Sequence, residues 1–206
     1  MSNIKLIGLG VFFSFLVVLF VKNYESDTKE ISLREGSVIL AYGDSLTNGF
    51  GVSKEFSYPS QIEKKTGLKV INAGVNGEPS GKGLLRLPHL IKEHNPDLVI
   101  LCHGANDILN KLSIKEMKEN LLAMVRVIKQ SGAEVLLVGV PDFSLFDLGV
   151  HDVYEEVAEE MDLLLEDEVI RYIELHRELK SDYVHPNKEG YEMMADKFIE
   201  VLKLKK

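Results

Sequence analysis

The sequence predicts an α/β protein, a three-layer α/β/α sandwich with a five-stranded parallel sheet. Three observations lead there. Five short runs rich in aliphatic and β-branched residues, at 37–42, 69–73, 97–102, 134–140 and 169–174, are each followed by a longer segment of helical period. Leu98-Val99-Ile100-Leu101 and Val135-Leu136-Leu137-Val138 are apolar without interruption, as strands buried on both faces must be. A chain of 206 residues, 45% of them hydrophobic, can build one domain with a substantial core but not two comfortable ones.

The helices between these runs have legible ends. Pro59 stands near the start of a helix that Gly67 ends, and Pro96 closes one over residues 81–95. Ser113-x-x-Glu116 forms a capping box for a helix ending near Gly132, with Ile114, Met117, Leu121, Leu122, Val125 and Ile128 along its buried stripe. Residues 152–166 set acids between Val157, Met161 and Leu164, and 188–204 form the terminal helix. There are no internal repeats.

Residues 6–21 carry no charge and lie between Lys5 and Lys22, so residues 1–22 are expected to engage a membrane, as an uncleaved anchor or a cleaved signal. Either outcome exports the domain to a periplasmic or other extracytoplasmic space. No cysteine directly follows the run, which excludes a lipoprotein anchor, and residues 23–36 are rich in charge and read as a linker to a domain over 37–206. Asp and Glu (32) outnumber Lys and Arg (24), giving a net charge of −8 without a basic block, so nucleic acid is not an expected partner. Cys102 is the only cysteine, so there is no intrachain disulfide and no cysteine-based zinc site, and its apolar surroundings suit a buried thiol.

Ligands of an open parallel sheet bind beyond the carboxyl ends of its strands, which makes the residues just after each run the candidates for chemistry. After the first come Gly43-Asp44-Ser45-Leu46. The second is followed by Asn72-Ala73-Gly74-Val75-Asn76-Gly77, the third by His103-Gly104-Ala105-Asn106-Asp107, and the last, after a connection, by Asp182-Tyr183-Val184-His185-Pro186. A serine hydroxyl needs an imidazole to take its proton and a carboxylate to orient that imidazole, and all three types fall on one edge. Singly, each residue has a structural competitor: Ser45 and Asn106 as helix caps, Gly74 and Asp182 as turn residues. Their joint placement favours catalysis.

These four blocks, in order, resemble the SGNH or GDSL hydrolase superfamily, and within it the bacterial thioesterase I and lysophospholipase L1-like esterases. The resemblance spans nearly all of 37–206, including Gly83-Leu84-Leu85-Arg86-Leu87-Pro88 after the second block. It implies a flavodoxin-like sheet and an ester or thioester hydrolase that forms an acyl-enzyme on Ser45, with His185 as base and acid and Asp182 as its orienter. The N–H groups of Ser45 and Gly74 and the Asn106 amide would form the oxyanion hole. No metal or organic cofactor is implied. His103 departs from the family pattern, which has a small residue there more often, and is expected to approach the rim of the site. Phe143 and Phe146, in the apolar segment after the fourth run, either line an acyl pocket or pack over the sheet. The expected substrate is a small-molecule or lipid-like ester. A carbohydrate O-acetyl esterase is the alternative, with the lack of Trp against it, and a noncatalytic binding module is the remote one.

Overall fold

The computed structural model describes residues 30–142 and 151–205. The segment at 6–21, most of the charged stretch after it, Phe143 and Phe146 therefore lie outside the described residues. Among the described residues no helix is long and apolar enough to cross a membrane.

The chain runs β1 (Ile31–Arg34), β2 (Val38–Gly43), α1 (Ser45–Asn48), α2 (Tyr58–Thr66), β3 (Lys69–Gly74), α3 (Ser80–His94), β4 (Leu98–Cys102), α4 (Ala105–Leu109) and α5 (Ile114–Gln130). It continues through β5 (Glu134–Val138), α6 (Val153–Met161), β6 (Leu164–Glu166), α7 (Val169–Leu175), α8 (Lys188–Glu200) and β7 (Leu202–Lys205), with short 3-10 turns at Lys54–Phe56 and Arg177–Leu179. Five strands form one sheet in the order β3-β2-β4-β5-β6, every neighbouring pair parallel. This is the doubly wound, flavodoxin-like order, with its switch point between β2 and β4. Helices α2, α7 and α8 pack on one face and α3, α5 and α6 on the other, giving the three layers.

Sequence accounts for most of these elements directly. Strand β4 is buried at every position, as its unbroken apolar run requires, while the outer strand β3 is half-exposed and carries Asn72 and Lys69. In α5 the Ser113 hydroxyl accepts a hydrogen bond from the Glu116 N–H at 3.3 Å, and Met117, Leu121, Leu122, Val125 and Ile128 are buried in the i, i+4, i+5, i+8, i+11 pattern of one face. Helix α2 ends at Gly67, whose φ of 73° suits a residue without a Cβ.

Three expectations are corrected. The run at 169–174 is helix α7, because Val169, Ile170 and Ile173 form a helical stripe, and the fifth strand is Leu164–Glu166, inside the segment expected to be helical. Helix α6 ends at Met161 because Asp162 turns left-handed at φ 50°, and the Glu166 carboxylate then receives the N–H groups of Glu168 (3.2 Å) and Val169 (3.0 Å) at the start of α7. The stretch expected as linker up to Gly36 contains β1, and the terminal helix stops at Glu200 to let β7 pair with β1 in parallel. Both short strands alternate, Ile31-Ser32-Leu33-Arg34 against Leu202-Lys203-Leu204-Lys205, and Ile31 and Leu33 are buried.

Candidate active site

Strands β2, β3 and β4 end level, with Gly43 registered against Gly74 on one side and Cys102 on the other. Gly43 must be glycine, since a Cβ would overlap the Cys102 carbonyl and the Thr47 hydroxyl. The chain then turns into α1 with Asp44 as its cap: one carboxylate oxygen accepts from the Leu46 N–H at 3.1 Å, the other from the Asn106 side-chain amide at 3.2 Å. Burial pushes the Asp44 carboxyl up. Its contacts make it the post that holds the turn bearing Ser45.

His185 approaches from the far end of the chain. Its Nε2 lies 2.9 Å from Ser45 Oγ, and its Nδ1 lies 2.8 Å from Asp182 Oδ2. A carboxylate only accepts, so Nδ1 carries the proton and the Ser45 hydroxyl donates to the Nε2 lone pair. The other oxygen of Asp182 accepts from the N–H groups of Val184 (2.8 Å) and His185 (2.7 Å). Burial disfavours charge on Asp182, but those two backbone donors and the imidazole outweigh it and hold its pKa down to about 2. The loop closes on itself: Ser181 donates from its N–H to the His185 carbonyl at 2.9 Å, and Lys180 bridges to Pro186. A buried Lys180–Glu174 ion pair at 2.6 Å ties it to α7. The Phe50 ring stands 4.4 Å from that of His185, shielding one face of the imidazole.

Ser45, Asn106 and His185 line a cavity of about 180 Å³ whose walls are mostly apolar, with Leu46, Phe50, Ala105, Leu109 and Val184. Gly74 does not line it. The Gly74 N–H donates to the Asn72 side chain at 3.0 Å, and a Cβ there would overlap the backbone of Thr47 and Asn48, so this glycine lets α1 rest on β3. Gly77, at φ 71°, lines the cavity instead. The N–H groups of Ser45 and Gly77 have no acceptor among the described residues. No signal in the sequence separates the two glycines: Gly74 is still paired with Gly43 as the last residue of β3, and only that register leaves Gly77 beyond the sheet edge.

His103 corrects another expectation. It is fully buried and absent from the cavity wall, with Nε2 3.2 Å from Glu78 Oε2. Sequence reading also passed over Asp107, whose two oxygens accept from the Ser80 N–H and hydroxyl, both at 2.7 Å, tying the loop after β3 to the loop after β4. A roomier cavity of about 240 Å³, lined by Glu30, Lys129, Glu134 and Asp162 among others, opens at the amino ends of β5 and β6, and its lining includes no serine, threonine, cysteine or histidine. Among the described residues no three His, Cys, Asp or Glu side chains gather as metal ligands.

Comparison with known proteins identifies a family for the chain. The profile of the GDSL-like Lipase/Acylhydrolase family matches residues 41–193. An arylesterase of Vibrio mimicus is 32% identical over 77% of this chain and 84% of its own length. The thioesterase 1/protease 1/lysophospholipase L1 of Escherichia coli K12 is 28% identical over 89% of this chain and 87% of its own. Among solved structures, the psychrotrophic esterase EstA from Pseudoalteromonas superposes with a TM-score of 0.71 at 26% identity, covering 80% of this chain and 96% of that one. AlinE4, a SGNH-hydrolase family esterase, does so at 0.62 and 30%, covering 81% and 94%. The chain belongs to the GDSL-like lipase/acylhydrolase family and is a serine ester hydrolase on the SGNH fold.

Proposed function

We propose that Ser45, His185 and Asp182 are the catalytic triad, and that the N–H groups of Ser45 and Gly77 with the Asn106 amide are the oxyanion hole. The observation that carries this reading is the unbroken hydrogen-bonded line Asp182–His185–Ser45 opening on a cavity beside backbone N–H groups with no acceptor among the described residues. As Ser45 Oγ attacks the carbonyl carbon, its proton passes to His185 Nε2, and the carbonyl oxygen becomes an oxyanion met by the three donors. Collapse expels the alcohol or thiol, which leaves with the proton from His185. Water then attacks the acyl-enzyme, gives a proton to the same nitrogen, and the acid departs as Ser45 recovers its hydrogen. Asp182, held well below its ordinary pKa, stays a carboxylate throughout and keeps the imidazole in the Nδ1–H tautomer.

The substrate class follows from the cavity and the relatives. Apolar walls favour an acyl or aryl group over a sugar, and the relatives named arylesterase and thioesterase 1/lysophospholipase L1 support an aryl, lipid-like or thioester substrate. The uncharged run at 6–21 supports export with attachment to a membrane. Steady-state hydrolysis of p-nitrophenyl esters, acyl-CoA, lysophospholipid and acetylated sugars, with labelling by a fluorophosphonate, tests the whole reading. Covalent labelling at Ser45 and preference for the first three substrates are expected. Labelling elsewhere would end the triad assignment, and selective deacetylation of sugars would replace the substrate class. Separation of membrane and soluble fractions from cells making the full chain or a chain lacking 1–22 tests the attachment.

A further inference from the structure

Three separate loops must hold the oxyanion donors in register, and a charged cluster that does not line the cavity links them. Arg86, on α3, donates from Nη2 to the Gly43 carbonyl at 3.1 Å and to the Ala73 carbonyl at 2.8 Å. These are the ends of β2 and β3. Its Nε donates to both oxygens of Glu78, at 2.9 and 2.8 Å, and its guanidinium lies 4.2 Å above the Tyr42 ring. The third loop, after β4, reaches the same carboxylate through His103 Nε2 at 3.2 Å. Glu78 directly follows Gly77, and its own carbonyl accepts from the Asn106 amide at 3.3 Å. A shift of Glu78 therefore moves two of the three donors at once.

We propose that Glu78, clamped between Arg86 and His103, is the positioning residue of the oxyanion hole, a role that rests on the function proposed above. None of the three touches the cavity, so they act through Gly77 and Asn106 and not on substrate. The seat is built for this purpose. Gly83 must lack a Cβ for the His103 ring to fit, and Tyr42 donates its hydroxyl proton to the Gly83 carbonyl, fixing α3 beside the ring. Since a carboxylate only accepts, His103 Nε2 carries the proton, and Nδ1 is left buried with no partner among the described residues. Burial disfavours charge on Glu78, but the hydrogen bonds from His103 and Arg86 outweigh it and hold its pKa down to about 2, so Glu78 stays a carboxylate at any working pH. Stability does not demand such a group, because a buried ion pair is often no better than apolar residues of the same volume. Placement of donors does demand it, because misplacement by about 1 Å can cost about a hundredfold in rate.

The test is a double-mutant cycle on p-nitrophenyl butyrate hydrolysis. Glu78→Gln is expected to lower kcat by about tenfold or more with KM changed less than about twofold, since only the transition state carries the oxyanion. In an Asn106→Ala background the same substitution should cost less than about threefold, because part of the hole it positions is already gone. His103→Leu, which fills the ring's space without a donor, carries the same cycle if Glu78→Gln does not fold. His103→Gln, whose side-chain amide can donate to Glu78, should recover part of the loss. Unchanged kcat in Glu78→Gln, full multiplication of its loss with that of Asn106→Ala, or equal activity in the Leu and Gln variants of His103 would overturn the proposal. Ser45→Ala, run alongside, separates this from the function itself: full activity there refutes the triad whatever the cycle returns.

Discussion

The two sides of Ser45 are built in opposite ways. On the proposed acid–base side, Asp182 and His185 are three residues apart in one closed turn, and the carboxylate is oriented by the N–H groups of its own loop. That side is open, with the Asp182 side chain 43% exposed. On the side of the proposed oxyanion hole, Ser45, Gly77 and Asn106 follow three different strands and are held by contacts between positions far apart in the chain, through Arg86, Glu78, His103 and the Asp107–Ser80 pair. The lesson is that a proton relay can be assembled locally because one turn defines its geometry. A hole for an anion must be surrounded, and surrounding requires several elements.

The largest break comes where both sides meet. Ser45→Ala or His185→Ala should lower kcat by roughly 10⁴-fold or more, with an unchanged circular dichroism spectrum to show that the fold survives. Breaking only the local side, Asp182→Asn should cost roughly a thousandfold in kcat, since an amide can settle the imidazole in the wrong tautomer. The same variant tests the charge: a carboxyl held at about 2 stabilises the native state above about pH 4, and that contribution disappears as pH falls through 2. Acid unfolding of Asp182→Asn, followed by fluorescence, should lack that part of the transition. On the other side, Asn106→Ala should cost about a hundredfold in kcat and little in KM, the usual loss of one oxyanion donor.

The smallest effect on activity sharpens the contrast from outside the site. Glu166 is buried, and burial, only partly offset by the Val169 and Glu168 N–H groups, raises its pKa to about 7. Its folded state holds the proton more tightly than the unfolded chain, so its contribution is complete below about pH 4.5 and is lost as pH rises through 7. Glu166→Gln keeps an oxygen for the α7 N–H groups. It should leave kcat unchanged and raise stability at pH 8 by up to about 3 kcal/mol, with no gain at pH 4, measured by urea unfolding.

What could be read before folding follows the same division. That Asp182, His185 and Ser45 meet in one hydrogen-bonded line was legible because each announces itself within a few residues: a Gly-Asp-Ser turn after an apolar run, and an Asp-x-x-His-Pro turn near the end. That Gly77 lines the cavity in place of Gly74 was missed because it depends on where β3 stops pairing with β2, which is a matter of register between strands. His103 was placed at the rim because its neighbours in sequence are there, while its ring turns inward to a carboxylate 25 residues earlier. The fifth strand was shifted because Val169, Ile170 and Ile173 suit either period over so short a run, and only the Glu166 cap and the pairing of Leu164 with Leu136 decide it.

Local chemistry in the sequence thus determined the alternating layers, the buried strands, the helix caps and the three residues proposed as the proton relay. Tertiary structure alone decided which glycine faces the cavity, that His103 serves Glu78 instead of substrate, and that β1 and β7 close the two ends of the domain against each other. The physical reason is range. Periodicity, capping and turns act over a few residues and leave their mark in order along the chain, whereas an anion site and a buried ion cluster exist only once separate loops share one space.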